Sequence, residues 1–228
     1  MEMEMEIERV MENVPSCLSS FIDTGSQESH RYYLARRTTL EMLRDRGYDV
    51  SASVNEIGLS LQGFRSVFGQ QPNLEQLRIT VPLLSDPTKK IMVYFCGNGK
   101  VNKPAVTRIL QQITNSADLH RLILIVENQI THVAKQHLKL CRVKVEDFQI
   151  TDLLVNMTKH VLMPKHEILS SVEKDKLLKK YSVTENQIPR MLETDAIARY
   201  YGLEKGQVVK VTTDSDVTGL LVTYRCVM

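Results

Sequence analysis

The chain of 228 residues contains no tryptophan, and aromatic residues make up only 6% of it. There is no run of 18 apolar residues, which excludes an ordinary membrane-spanning helix. Charge of one sign is missing as well: 29 Lys and Arg against 27 Asp and Glu leave a formal net charge of +2. No bulk basicity marks a free-standing nucleic-acid binder, so any DNA contact has to come from a local patch. The four cysteines, Cys17, Cys96, Cys141 and Cys226, lie far apart. Isolated thiols in a chain that is not secreted read as reduced core residues, and no close pair is present to begin a zinc site. The first residues, Met1-Glu-Met-Glu-Met-Glu-Ile-Glu8, are acidic and lack the basic and apolar regions of a signal peptide.

Catalytic and cofactor signatures are absent too. Gly97-Asn-Gly-Lys100 has a superficial likeness to a phosphate loop, but that loop needs a longer glycine pattern with Lys-Ser/Thr opening a helix. A turn is the expected reading. His132 and His137 are five residues apart, the wrong spacing for two ligands on one helix face, and no His-Glu-x-x-His pattern occurs. The expectation is no metal, no cofactor and no catalytic residue.

Hydrophobic residues form 43% of the chain and charged residues 25%, the balance of an ordinary globular protein with one large or two small domains. Residues 1–27 read as an acidic, weakly ordered extension with a possible short helix over 2–12. A helix is expected over 28–46, ending at Gly47, with Tyr33, Leu40 and Leu43 on one face. Arg36, Arg37, Arg44 and Arg46 fall mostly outside that face. With Arg31 they read either as a solvated face near Glu28, Glu41 and Asp45 or as a phosphate contact. The span 49–75 is irregular, with room for a poorer helix.

Strands are then expected over 77–84 and 91–96, joined by a turn at Ser85-Asp-Pro-Thr88. Asn102 caps a helix from Pro104 to about 115. A buried strand over 121–126, a helix over 132–140 capped by Thr131, and a strand over 143–150 follow. Strands alternating with helices predict a mixed sheet flanked by helices. Glu146 and Asp147 are neighbours on a strand, so they point to opposite faces and cannot form one carboxylate site.

The texture changes after Pro164, with a domain boundary near 153–160. Ser170-Ser-Val-Glu173 is a capping box opening a Lys-rich helix that ends near Tyr181, and Thr184-Glu-Asn-Gln187 is a possible second one. Lys174, Lys176, Lys179 and Lys180 read as solvated or as a salt-bridged rim. Thr194 or Asp195 caps a short helix that Gly202 stops in the left-handed conformation. Strands over 207–213 and 219–227 are joined by Asp214-Ser-Asp216. Arg199, Tyr200 and Tyr201 sit on a compact element, and two readings of them stand equal: the domain's own core or a partner-binding surface.

Leu153-Leu-Val-Asn156, Lys159-His-Val-Leu162, Pro189-Arg190, Ile197-Ala-Arg-Tyr-Tyr-Gly202, Gly206-Gln-Val-Val-Lys210 and Val222-Thr-Tyr-Arg225 together resemble the fifth subunit shared by eukaryotic nuclear RNA polymerases. The likeness is dense from Leu153 onward and looser before it. It implies a fold of the mixed α+β class in two parts: a nuclease-like jaw domain over 28–155 without an active site, and a small assembly domain over 156–228. It implies a non-catalytic nuclear subunit that docks on the largest polymerase subunit, near downstream DNA. The residues expected at the subunit interface are Arg190, Arg199, Tyr200, Tyr201, Gly202, Gln207, Lys210 and Arg225. Thr131, His132 and Lys135 are expected near DNA. Departures from the family pattern, among them Ala196, His132, Thr213, Asp214 and Leu220, resemble the diverged form used by plant RNA polymerase V in RNA-directed DNA methylation. A diverged subunit of another nuclear polymerase and a free-standing DNA-binding or nuclease-like module are the alternatives.

Overall fold

The computed structural model describes Asp23 and residues 25–113, 118–215 and 219–228, with the side chain of residue 215 left aside. Residues 1–22 of the expected extension, with Cys17, and Asp216 lie outside the described residues; Asp214 and Ser215, expected in a loop, continue a strand because they pair with Leu220 and Gly219. Helix α1, Gln27–Asp45, begins where the Ser26 hydroxyl accepts from the Ser29 N–H, and it ends at Gly47, whose φ of 83° suits glycine. Two short helices follow, α2 (Val54–Ile57) and α3 (Leu61–Phe68), the second capped by Ser60. Strand β1 (Ile79–Leu83) and strand β2 (Asp86–Phe95) form an antiparallel hairpin. The tight turn is Leu84-Ser85, so Asp86, Pro87 and Thr88 belong to the start of β2 rather than to the turn expected there. Proline is tolerated at that end because its missing N–H removes nothing from the middle of the ladder.

Helix α4 (Lys103–Ile113) is capped by Asn102, whose Oδ1 accepts from the Ala105 N–H at 3.1 Å. Strand β3 (Leu119–Val126), helix α5 (His132–Lys139) and strand β4 (Lys144–Gln149) complete the first unit. The sheet order is β1-β2-β3-β4, with β2, β3 and β4 parallel and β1 antiparallel. Strand β3 is buried on both faces. Ile123 and Ile125 pack with α1 on one side, and Leu122, Leu124 and Val126 pack with α4 and α5 on the other. An unbroken run, Leu-Ile-Leu-Ile-Val, is what a covered parallel strand requires.

Helix α1 is buried on much more of its circumference than its sequence suggests. Ser29, Thr38, Thr39, Arg36 and Glu41 are buried along with Leu40 and Leu43. Arg31 and Arg44 are exposed, as a solvated face requires, whereas the side chains of Arg36 and Arg46 are buried and correct the expectation for those two positions. Arg36 donates to Glu56 and to the Leu77 carbonyl, both at 2.6 Å, and lies over the Phe68 ring. Two of its partners, Glu56 and Phe68, come from the irregular span 49–75, which is not periodic enough to be foreseen, and the third, Leu77, lies just beyond it.

Two 3-10 turns, Ile150–Leu153 and Met157–Lys159, lead to the second unit. That unit contains β5 (Lys165–Ile168), α6 (Ser171–Tyr181), β6 (Arg190–Met191), α7 (Ala196–Tyr201), β7 (Val208–Ser215) and β8 (Gly219–Val227). The Ser170/Glu173 capping box at α6 is present with both of its bonds. Residues 184–187 form only a 3-10 turn, with Gln187 Oε1 accepting from the Thr184 N–H at 2.7 Å. The sheet order is β5-β7-β8-β6. Strands β5 and β6 carried no readable signal because they are four and two residues long and half exposed. Their backbone pairing, not their side chains, makes them strands.

Leu124 is fully buried between β3 and the two helices. Leu124→Ala is expected to destabilise the protein by about 2–5 kcal/mol. Leu162→Ala, at a side chain 84% exposed, is expected to stay within about 0.5 kcal/mol. Urea unfolding of the two variants checks both figures.

Candidate functional site

The short helix α7 forms where the sequence ordained it. Asp195 accepts from the Ile197 N–H at 2.9 Å, and Gly202 stops the helix at φ 63°. What the sequence did not disclose is where that helix lies. It sits in the seam between the two sheets, and its exposed carbonyl end is held by arginines of the first unit. Arg46 Nε donates to the Tyr200 carbonyl at 2.8 Å, and its Nη2 donates to the Arg199 carbonyl at 2.7 Å. Arg121 donates to the Gly202 carbonyl at 3.0 Å. The last carbonyls of a helix have no partner of their own and carry partial negative charge, so guanidinium groups suit them.

The two arginines share one carboxylate. Glu146 on β4 accepts from Arg46 at 2.8 Å and from Arg121 at 2.9 Å, and all three side chains are largely buried. Arg121 extends the network to Glu204 at 2.7 Å, which also meets Lys144 at 2.9 Å. The Glu204 carboxyl lies below its usual range, chiefly because Lys144 hydrogen-bonds to its charged form. Gly202 has no room for a side chain: a Cβ there would stand 2.7 Å from an Arg121 nitrogen and 2.9 Å from the Arg46 guanidinium carbon.

The side chains of α7 complete the seam. The Tyr200 ring is buried, its hydroxyl donates to Asp45 at 2.8 Å, and the same hydroxyl accepts from Asn156 at 3.1 Å. Burial and the Asp45 carboxylate push the Tyr200 phenol well above its usual value, so it remains a donor. Asn156 also donates to Glu41 at 2.8 Å, which Lys159 meets as an ion pair at 2.5 Å. Tyr201 packs edge-on to Tyr200 and touches the hydrophobic clusters of both units. Arg199 donates to the Asp147 carbonyl at 2.5 Å and lies over the Phe148 ring. Of the two open readings, the Tyr200 side chain is thus used inside the chain, and Arg199 and Tyr201 are partly so used.

The other expected interface residues are spread over the second unit. Gln207 accepts from the Glu204 N–H at 2.7 Å. Lys210 meets Glu167 across the β5–β7 pair at 2.9 Å. Arg190 and Arg225 are both exposed where β6 meets β8, but Arg190 stands opposite Cys226 and so on the other face of the sheet from Arg225. Thr131, His132 and Lys135 lie at the start of α5, with exposed side chains. Thr131 is spent as the cap of Ala134, and Lys135 stands 3.4 Å from Asp147. Sequence reasoning missed Arg46, Arg121 and Glu146. The only hint was three charged residues beside helix and strand positions that otherwise point inward.

Glu146 and Asp147 do diverge, one toward Arg46 and Arg121, the other toward Lys135. Among the described residues no group of three or more His, Cys, Asp or Glu could hold a metal ion.

Arg46→Ala is expected to cost about 3–5 kcal/mol, as for one partner removed from a buried ion pair. Arg44→Ala on the exposed side of the same helix should stay within about 0.5 kcal/mol. The measurement is chemical denaturation, and a transition that splits in two for Arg46→Ala alone would identify the seam as the element lost.

Glu41 gives a pH test. Burial raises its carboxyl pKa, but bonds from Asn156 and Lys159 overcome this and leave it below the usual 4.5. A group with a depressed folded value stabilises above its unfolded value, and that contribution is lost as pH falls through the folded one. Lys159→Met is expected to raise the Glu41 value and move the acid-unfolding midpoint to higher pH, followed by circular dichroism.

Similarity to known proteins agrees with this architecture. The chain matches RNA polymerase Rpb5, C-terminal domain, over residues 155–227, and RNA polymerase Rpb5, N-terminal domain, over residues 26–113. It is 50% identical to DNA-directed RNA polymerase V subunit 5A of Arabidopsis thaliana over 211 residues, covering 92% of this chain and 94% of that one. It is 47% identical to DNA-directed RNA polymerase V subunit 5C of the same plant, with 100% of both chains covered. Subunit RPABC1 of DNA-directed RNA polymerases I, II, and III of Caenorhabditis briggsae is 34% identical, with 88% of this chain and 97% of that one covered. With both domains matched in order and relatives aligned over nearly their full length, the chain belongs to the Rpb5 family of RNA polymerase subunits.

Proposed function

We propose that this chain serves as the fifth subunit of a nuclear polymerase of the plant RNA polymerase V class, acting in RNA-directed DNA methylation and transcriptional silencing. The observation that carries the reading is the gap in identity. Plant relatives named for polymerase V stand at 50% and 47%, against 34% for a nematode relative named for polymerases I, II and III. A second reading is a subunit common to two plant enzymes, favoured by 50% identity to DNA-directed RNA polymerases IV and V subunit 5B of Arabidopsis thaliana.

In this proposal residues 156–228 dock on the largest subunit, and residues 28–155 form the jaw beside downstream DNA. The exposed Arg190 and Arg225 reach the partner directly. Arg199, Tyr200, Tyr201 and Gly202 hold the docking surface at a fixed angle to the jaw. Thr131, His132 and Lys135 form a weak contact to the DNA backbone that does not depend on sequence. Asp147 beside Lys135 tempers that contact, in line with a near-neutral chain that neutralises few phosphates by itself.

Affinity purification of the tagged full chain from plant nuclei is expected to recover a largest polymerase subunit in equal amount. Its sequence identifies the enzyme, and recovery of the chain alone would overturn the reading. In the assembled enzyme, Lys135→Glu should weaken DNA retention without releasing the subunit. Unchanged retention and salt dependence would remove Lys135 from the DNA path.

A further inference from the structure

Strand β8 is longer than the strand beside it. Strand β6 covers only its end, Arg190 opposite Cys226 and Met191 opposite Val227. Among the described residues, the outer edge of β8 from Gly219 to Arg225 has no partner strand. The hydrogen bonds at the paired end show which backbone groups face that edge. Cys226 N–H donates to the Pro189 carbonyl at 2.8 Å and Met228 N–H to the Met191 carbonyl at 2.9 Å, both toward β6. Val227 N–H donates to the Gln207 carbonyl at 2.9 Å, toward β7. The β7–β8 register is continuous from Val208↔Cys226 to Ser215↔Gly219, and backbone groups alternate in direction along a strand. Leu220, Val222 and Tyr224 therefore present their N–H and C=O groups to the open edge, and Leu221, Thr223 and Arg225 present theirs to β7.

Proteins blunt such edges with charge, proline or a bulge. This one has none of the three between Gly219 and Tyr224. It carries instead three successive apolar side chains, Leu220, Leu221 and Val222, at 69%, 52% and 37% exposure. At the closed end, Arg225 and Arg190 are exposed, and among the described residues no carboxylate pairs with either. The open edge thus offers a row of backbone donors and acceptors, an apolar stretch, and at its closed end one arginine on each face of the sheet.

We propose that this edge receives an extended segment of a neighbouring polymerase subunit as an added strand, with apolar side chains along Leu220–Val222 and a carboxylate at Arg225. Strand addition takes its affinity from main-chain hydrogen bonds and its selectivity from alternate side chains. The inference rests on the reading of the chain as a polymerase subunit. A second copy of the chain is the poorer occupant, because Gly219–Val227 contains no acid to meet Arg225.

The test is hydrogen exchange on the full chain, free and within the purified polymerase. In the free chain the amides of Leu220, Val222 and Tyr224 should exchange quickly, and in the assembly at least about tenfold more slowly, as expected for newly formed backbone bonds. The amides of Leu221 and Thr223, bonded to β7, should be protected in both. Val222→Pro removes one outward N–H and leaves the β7 ladder intact. It should lower recovery with the largest subunit about tenfold, the equivalent of one or two hydrogen bonds, at an unchanged melting temperature. Arg225→Glu should do likewise by charge reversal, and it keeps the test open if the proline variant proves unstable. Equal exchange at the three outward amides in both states overturns the proposal, as does undiminished recovery of a stable Val222→Pro or Arg225→Glu chain. Concentration-dependent dimerisation that Val222→Pro abolishes while polymerase recovery is unchanged also overturns it, in favour of a second copy. If the wild-type chain recovers no largest subunit, it is the polymerase reading that fails; the strand-addition test requires that recovery first.

Discussion

The structure depends on one arrangement of charge: a carboxylate, Glu146, held between two buried arginines that both reach for the carbonyl end of a six-residue helix. Each charge in that cluster would be costly alone. Together, Arg46, Arg121 and Glu146 pair with one another and bond the Arg199, Tyr200 and Gly202 carbonyls, with Arg46 Nη1 alone left buried without a hydrogen-bond partner among the described residues. A helix of six residues is too short to be stable by its own hydrogen bonds, so its persistence is a property of the seam. The same seam turns two sheets that could have moved independently into one body.

Much of the fold was legible because it depends on local chemistry. Asn102, Thr131, Ser170 with Glu173, Asp195 and Gly202 each mark a helix end through a bond or a backbone conformation that needs only nearby residues. The unbroken apolar run of β3 announced a strand covered on both sides. The misses share a cause as well. Strands β5 and β6 are strands because distant backbone pairs with them, and nothing in Lys165–Ile168 or Arg190–Met191 says so. Pro87 drew the turn two residues too far along.

The site was legible in its parts and hidden in its assembly. Arg199, Tyr200, Tyr201 and Gly202 stood out as a compact element with unusual side chains, and they are where the two units meet. Their partners were not foreseen. Arginine on a helix is ordinarily solvent-facing, so Arg36 and Arg46 read as surface. In the fold both are engaged by carbonyls and carboxylates from far along the chain. Neither residue type nor spacing carries that information; it lies in the pairing of sequence neighbourhoods 20 and 41 residues apart for Arg36 and 100 to 154 apart for Arg46. The resemblance to polymerase subunits was readable at the C-terminal end for the complementary reason. There the defining residues are close together in the sequence.

The span between Arg46 and its partners has a consequence for how the protein is made. Arg46 leaves the ribosome 153 and 154 residues before the two carbonyls it holds. The first unit can therefore collapse, with Glu146 already drawn to both arginines, while the chain that completes the cluster is still being synthesised. Until α7 is made, Arg46 has no carbonyl of the second unit to hold, and a chain that stopped before residue 196 would keep the Glu146 pairs and lose the Tyr200 and Arg199 acceptors.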